Sequence, residues 1–177
     1  MIQDVRTAEK ERTAMALAKL KDLYVEELKD LYSAENQLME ALPKMSAAAH
    51  SKELKSCFDE HLKQTEGHIE RLKQIFEGLG EKPTGKTCKA MKGLVAEGSE
   101  MIAEDAAPAV KDAGLISSAQ RVEHYEMAGY GSVHTYAEEL GETEASKLLQ
   151  QTLKEEKATD KLLSTVAVNV INIKAKQ

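Results

Sequence analysis

The sequence predicts an all-α protein built as a four-helix bundle, with a short extra helix in the connection between its second and third long helices. Three observations lead to this prediction. Apolar residues recur at alternating spacings of three and four over four long segments. Glycine, serine and threonine stand where these segments begin or end. The 177 residues include three prolines and 4% aromatic side chains, which does not suit a turn-rich β fold.

The first two predicted helices follow one another closely. The first runs from about residue 20 to about residue 50, and Ser51 then provides an N-cap for the second. Gly78 and Gly80 end the second helix. The short link predicts that the two helices lie side by side. Their apolar stripes consist of Tyr24, Leu28, Leu31, Leu38, Leu42 and Met45, and of Phe58, Leu62, Thr65, Ile69, Leu72 and Phe76.

Residues 78–113 interrupt the pattern and predict a long crossover. Pro83 and Gly85 indicate a loop, and Thr87 is a candidate cap for a short helix. The apolar side chains of that helix need a surface to cover, which favours a homodimer. They are Met91, Leu94, Met101 and Ile102, and Val95 lies on the same helix.

The third and fourth predicted helices are separated only by a tight turn. Gly141 closes the third helix, and Thr143 begins the fourth. A turn this short predicts antiparallel neighbours. Their apolar stripes consist of Ile116, Ala119, Tyr130, Val133, Ala137 and Leu140, and of Leu149, Leu163, Val166 and Val170.

Composition excludes several classes of protein. Residues 1–18 are polar and weakly periodic, so we expect a flexible arm ahead of one bundle domain at 19–177. A net charge of −6 argues against a general binder of nucleic acid or anionic membranes, and 31% charged residues argue against a membrane span. No secretory signal is visible, and Cys57 and Cys88 form no disulfide-type pattern, so we expect a cytoplasmic protein.

Four carboxylates occupy positions where the stripes call for apolar side chains. They are Glu35 in the first helix, Glu123 and Glu126 in the third, and Glu156 in the fourth. A buried carboxylate without a partner is costly or takes up a proton. Because three of the four lie near the middle of their helices, a bundle would bring them into one layer. A single stripe glutamate is often a boundary residue that reaches water, but four together favour a carboxylate-bridged site for two metal ions.

The second helix adds a candidate nitrogen ligand. His61 lies beside its stripe, whereas His68, two turns further along the same flank, is expected to face solvent. Glu66 is the alternative to His61 and would make an all-oxygen site. Asp160 flanks the site one turn beyond Glu156. Carboxylates with one imidazole suit two iron ions, with manganese as the alternative, and the absence of thiolates disfavours structural zinc.

Five segments between residues 20 and 170 are DLYSAENQLMEALPKM, HLKQTEGHIERL, CKAMKGLVAEG, AQRVEHYEMAGYG and LKEEKATDKL. In order and spacing they resemble the bacterial YciE/YciF family of ferritin-like stress proteins. The resemblance implies a ferritin-like bundle, usually dimeric, with a di-iron site and a ferroxidase or stress-protective role. It also places five candidate ligands in family motif positions: Glu35, His61, Glu123, Glu126 and Glu156.

The candidate site departs from the better-known di-iron bundles, which use two Glu-x-x-His motifs. Thr159 stands where a histidine would follow Glu156, and no glutamate leads His61-Leu62-Lys63-Gln64. The third helix offers Glu123-x-x-Glu126 instead. The site is therefore rich in carboxylates and poor in histidine.

The resemblance and the site leave three functions open. The first is a ferroxidase or peroxide-consuming oxidase, in which two ferrous ions reduce dioxygen or peroxide. The second is a metal-stabilised structural or partner-binding stress protein without turnover. The third is a metal-free scaffold whose carboxylates are satisfied by water and lysine.

Overall fold

The computed structural model describes residues 17–177, and this part of the chain is helical without a β-strand. The long helices are α1 (Leu20–Ala48), α2 (Lys52–Leu79), α4 (Pro108–Glu139) and α5 (Thr143–Val166), and the shorter α3 (Lys89–Ala103) lies between α2 and α4. A π-helical turn, Ala167–Ile171, continues α5 into α6 (Asn172–Ala175). The predicted all-α bundle with a short crossover helix is confirmed.

The helix ends follow the local chemistry of the sequence. The Ser51 hydroxyl accepts a hydrogen bond from the Leu54 amide at 3.4 Å and begins α2. Gly80 ends α2 with a φ of 68° in the left-handed region, and Gly141 follows α4 with a φ of 73°. The predicted cap Thr87 is wrong by one residue, because the Cys88 sulfur accepts from the Met91 amide and α3 begins after it.

Short links make α1 and α2 neighbours, and α4 and α5 antiparallel neighbours, as predicted. Helix α3 packs on α1 and α4 of the same chain. Its Met91 is fully buried there, and Leu94, Val95, Met101 and Ile102 pack against the bundle core. The bundle of the same chain therefore covers part of the surface of these side chains, and the homodimer stays a prediction.

Two apolar clusters fill the core and leave a polar layer between them. Helix α1 contributes Leu28 and Leu31 to one cluster and Leu38 and Leu42 to the other. Glu35 lies between these two pairs. The interruption that the stripes predicted is therefore a real break in the apolar core.

Next to this layer, the Leu31 side chain of α1 packs closely on Gly129 of α4. A Cβ atom at Gly129 would lie 2.8 Å from Leu31 Cδ2, closer than real Cβ contacts. Gly131 faces open space instead, so only one of these two neighbouring glycines serves helix contact.

The predicted N-terminal arm lies outside the described residues except for Leu17 and Ala18, which are exposed and precede α1. The division into an arm at 1–18 and a domain at 19–177 stays a prediction. Among the described helices, none combines the length and the apolar character that crossing a membrane requires.

Candidate metal centre

The layer between the apolar clusters contains acidic and imidazole side chains from every long helix. Helix α1 contributes one glutamate, α4 two and α5 one, and α2 contributes two histidines. All six are at most 2% exposed: Glu35, His61, His68, Glu123, Glu126 and Glu156. The four stripe glutamates are therefore buried together at the middle of the bundle, as their positions predicted.

The first group of possible ligands surrounds His61. Its members are His61, Glu123, Glu126 and Glu156, with one ligand atom from each within 4.8 Å of the others. The Nε2 of His61 lies 3.2 Å from Glu123 Oε1 and 3.9 Å from Glu156 Oε2. The imidazole thus faces the carboxylates, as expected for His61.

The second group surrounds His68. The Nδ1 of His68 lies 2.9 Å from Glu156 Oε1 and 3.2 Å from Glu35 Oε1. Glu156 belongs to both groups, because one of its oxygens approaches each histidine. This arrangement gives two adjacent positions for a cation with one shared carboxylate.

The polar atoms that face these positions have no hydrogen-bond donor or acceptor in the described part of the chain. They include both carboxylate oxygens of Glu126 and of Glu156, and Nε2 of His61. The contact of His68 Nδ1 with Glu156 also lacks hydrogen-bond geometry, despite its short distance. Buried polar atoms are normally paired, so a cluster of unpaired acceptors fits a site built for cations.

His68 is held from behind by a charged pair. Its Nε2 contacts Glu155 Oε2 at 3.0 Å, and Arg71 donates to both oxygens of Glu155 at 2.8 and 2.9 Å. With the Nε2 proton directed to Glu155, Nδ1 faces Glu35 and Glu156 and is free to accept a proton or a metal ion. Carboxylates commonly orient metal-binding histidines in this way.

His61 has a weaker support. Its Nδ1 lies 3.4 Å from the Thr159 hydroxyl and 3.5 Å from Gln64 Oε1, and both partners are neutral. Thr159 itself donates to Gln64 at 3.1 Å. Thr159, which replaces a histidine of the usual motif, therefore lies beside the His61 ring.

Tyr130 contacts the centre from the other side. Its hydroxyl donates to Glu35 Oε1 at 2.5 Å, and the whole side chain is buried. This hydrogen bond fixes one oxygen of Glu35, while the other oxygen has no partner among the described residues.

Electrostatics divide the glutamates into two kinds. Burial, reinforced by Glu156 and by Glu35 respectively, raises the pKa of Glu123 and of Glu126 well above the usual range. Burial alone would also raise the pKa of Glu156, but the contact with His68 and the charge of His61 lower it overall. Burial lowers the pKa of His68, yet Glu35 and Glu156 outweigh it and raise the pKa to about 10. Without a metal, a protonated His68 is thus the internal counter-charge of the centre.

Three expectations for the site need correction or a decision. His68 was expected to face solvent and is fully buried, so that prediction is wrong. Glu66, the alternative to His61, is exposed and does not enter the centre. Asp160 belongs to neither group: it is partly exposed and accepts from Gln120 Nε2 at 3.0 Å, with His124 Nε2 3.3 Å away. A step of four residues turns a helix by about 40° beyond a full turn, which directs Asp160 towards α4.

The sequence held a signal for His68. It follows His61 by seven residues, so both side chains leave α2 in nearly the same direction. Thr65-x-x-His68 also has the spacing of a Glu-x-x-His motif with threonine in the first place. Thr65 is fully buried at that position.

Fold and site define a ferritin-like four-helix bundle with a candidate carboxylate–histidine centre for two cations. Residues 19–176 match the family described as Domain of unknown function (DUF892), and the chain belongs to this family. It is 44% identical over 162 residues to Protein YciF of Escherichia coli, covering 91% of this chain and 98% of that protein. The predicted family resemblance is confirmed, and the chain is a member of a YciF-type stress protein family.

Solved structures agree with this assignment. The crystal structure of the E. coli stress protein YciF superimposes with a TM-score of 0.85 at 44% identity, over 88% of this chain and 98% of that one. A protein of Rhodopseudomonas palustris described as a putative structural protein gives 0.83 at 43% identity, over 86% and 97%. A Xanthomonas campestris protein shares the fold at 18% identity, with a TM-score of 0.70 over 90% and 99%.

Proposed function

We propose that this chain binds two iron ions in its buried centre and oxidises ferrous iron with dioxygen or peroxide, as its part in stress protection. Manganese is the alternative metal. One observation carries the proposal: buried carboxylate and imidazole atoms that have no hydrogen-bond partner among residues 17–177 converge in two groups that share Glu156. Oxygen ligands with one nitrogen at each position suit iron and manganese better than zinc.

The six candidate ligands form two metal positions. His61, Glu123 and Glu126 would hold one ion, Glu35 and His68 the other, and Glu156 would bridge both. Bound iron would supply the redox chemistry. The side chains place the ligands, neutralise charge and, because the apolar clusters lie on both sides, exclude bulk water from the centre.

Anaerobic titration with ferrous iron, followed by dioxygen or peroxide, tests the proposal. We expect two ions per chain and a ferric absorption band in the near ultraviolet after oxidant is added. The Glu156→Gln variant should lose both, because each position loses its shared carboxylate. Glu144→Gln, on the same helix with 84% of its side chain exposed, is the matched control and should behave as wild type. Binding of two ions by Glu156→Gln would show that the site is misplaced.

A structural role is the second candidate, and the description of the R. palustris relative as a putative structural protein favours it. In that case iron or manganese would raise the melting temperature, since a ligand that binds only the folded state stabilises it. The ferric band of the wild-type protein would then develop no faster than that of Glu156→Gln. The same titration therefore separates the two functions.

The remaining expectations about partners are part of the proposal. We propose a cytoplasmic homodimer that binds neither nucleic acid nor membranes, in keeping with the net charge of −6. Light scattering at micromolar concentration should give twice the chain mass of 19.5 kDa. A monomeric mass would contradict the dimer without affecting the metal centre.

A further inference from the structure

Three threonines are buried in the described part of the chain, and two of them have protein partners for their hydroxyl groups. Thr152 accepts a hydrogen bond from Arg71 Nη1 at 2.8 Å, and Thr159 donates to Gln64 Oε1 at 3.1 Å. The third, Thr65, is fully buried, and its hydroxyl has no partner among residues 17–177. Because an unpaired buried hydroxyl destabilises the folded state, this exception requires an explanation.

The helix backbone is the usual partner of such a hydroxyl. A threonine within a helix can donate to the carbonyl oxygen four residues earlier. Thr135 and Thr165 do so, with hydrogen bonds of 2.8 and 2.9 Å. Thr65 makes no such bond to the carbonyl of His61. Its hydroxyl is therefore paired neither with a side chain nor with its own helix in the part of the chain that the structure describes.

Thr65 leaves α2 between the two histidines of the candidate centre. It follows His61 by four residues and precedes His68 by three, and residues at these spacings lie on one side of a helix. The centroids of the two imidazole rings are 6.2 Å apart. Since each histidine belongs to a different cation position, Thr65 lies on the α2 side of the place where the two positions meet.

In the better-known di-iron bundles, a glutamate occupies the position of Thr65. The first residue of a Glu-x-x-His motif provides a carboxylate to the metal ions, and the histidine follows three residues later. Here His68 is present, but the first place holds a threonine, which is shorter than glutamate and offers a hydroxyl. The α2 side of the centre therefore has a hydrogen-bond donor where those bundles have an anionic ligand.

The charge of the centre changes when bound iron is oxidised. Its glutamates are Glu35, Glu123, Glu126 and Glu156, and when ionised they balance the charge of two ferrous ions. Two ferric ions would leave an excess of positive charge between the two apolar clusters, where an uncompensated charge is costly. A small anion bound at the α2 side would compensate part of that charge.

We propose that the centre binds a small carboxylate from solution next to Thr65, where it takes the place of the missing glutamate and accepts a hydrogen bond from the Thr65 hydroxyl. This inference rests on the proposed function, because oxidised iron supplies the charge that holds the anion. Its basis is a fully buried hydroxyl without a partner among the described residues, at the motif position of a carboxylate and between His61 and His68. Thr65 is thus a positioning residue for a ligand that the cations bind.

Titration of the oxidised protein with formate tests the inference. Protein is loaded anaerobically with two ferrous ions per chain, oxidised, freed of unbound iron and titrated with sodium formate, while chloride keeps the ionic strength constant. The near-ultraviolet ferric band and the infrared carboxylate stretch of isotopically labelled formate report binding. We expect saturation at one formate per chain in the ferric protein and no saturable binding to the metal-free protein.

Substitutions at one position separate the roles of the hydroxyl and of the missing carboxylate. Thr65→Val loses a hydrogen bond to a charged group, so formate should bind about 10–100-fold more weakly. Thr65→Ser keeps the hydroxyl and should bind formate like wild type. Thr65→Glu supplies the carboxylate from the chain itself and should abolish formate binding. Thr165→Val, which makes the hydroxyl-to-methyl change at an exposed position of α5, is the matched control.

The outcomes distinguish this inference from the proposed function. A ferric protein that shows no saturable response to formate would overturn the inference and leave the proposed function standing. Equal formate affinity in Thr65→Val and wild type would overturn the role of Thr65, and equal binding to the metal-free protein would place the anion elsewhere. Loss of iron binding and of the ferric band in wild type would overturn both proposals together. Circular dichroism checks the folding of each variant, and the comparison of Thr65→Val with Thr65→Ser is decisive even if Thr65→Glu does not fold.

Discussion

The two histidines of α2 face the same centre but are supported differently. His68 is backed by Glu155, which two hydrogen bonds of 2.8 and 2.9 Å join to Arg71. In the part of the chain that the structure describes, His61 is backed by the neutral Thr159 and Gln64, at 3.4 and 3.5 Å. Charge-assisted hydrogen bonds hold a ring more firmly than long neutral ones.

This difference predicts two unequal metal positions. The ring of His68 is fixed before a metal arrives, whereas His61 has freedom that binding must remove. The His61 position compensates with carboxylates, because Glu123 and Glu126 both belong to it. The raised pKa values of these two carboxyls, and of His68 in the other position, mean that each position must lose protons before it binds a cation. Because Glu155 and Arg71 already hold its ring, we expect the His68 position to fill first.

Removal of the histidines should have the largest effect on this comparison. His68→Ala and His61→Ala should each lower the stoichiometry from two ions to one. The ion that remains in His61→Ala should bind more tightly than the ion that remains in His68→Ala, because it occupies the His68 position, which has the charged support. Anaerobic calorimetry with manganese, which avoids oxidation, measures both affinities. A tighter remaining ion in His68→Ala would reverse the proposed order of the positions.

Substitution of the residues that support the two imidazole rings should have an intermediate effect on metal affinity. Glu155→Gln keeps the size of the side chain but weakens its bonds to Arg71 and His68, and we expect an affinity loss of about 10–100-fold, as is typical for such supports. Thr159→Val, behind His61, should lower the metal affinity clearly less than Glu155→Gln does. Equal losses in the two variants would show that the charged pair gives His68 no advantage. Circular dichroism checks that each variant is folded.

The smallest expected effect is a pH dependence of the metal-free protein. His68 has a pKa raised from 6.5 to about 10 in the folded state, so its contribution to stability is complete below pH 6.5 and is lost as pH rises towards 10. Raised pKa values of Glu123 and Glu126 act in the same direction, with loss above pH 4.5. The melting temperature without metal should therefore fall from mildly acidic to mildly alkaline buffer.

A variant and a metal control this pH effect. Glu126→Gln removes one buried acid that lacks a hydrogen-bond partner among the described residues, so its melting temperature should fall less steeply with pH. Bound metal replaces protons at the same atoms, and stabilisation by metal should increase as pH rises. A metal-free melting temperature that rises with pH would contradict the assigned pKa directions.

Much of the centre could be predicted because apolar periodicity is a local property of each helix. Glu35, Glu123, Glu126 and Glu156 each occupy a gap in a stripe, so each leaves its helix on the same side as the apolar residues around it. On α2 the same periodicity does not decide which side chains are buried, because both histidines lie beside its stripe rather than within it. At such a flank a small rotation of the helix decides between core and solvent.

By itself, the sequence determined the order of the four long helices and the short crossover helix, which of them are neighbours, and the four glutamates of the buried layer. These follow from side-chain spacing and caps, which depend on neighbours along the chain. The tertiary structure decided the rest: His68 turns inward, Asp160 turns towards α4, and α3 covers its own bundle. It also joined Arg71 to Glu155 and Tyr125 to Asp30 and Cys88. Such contacts depend on how each helix is rotated against its partners, and that rotation is fixed by packing of the whole bundle.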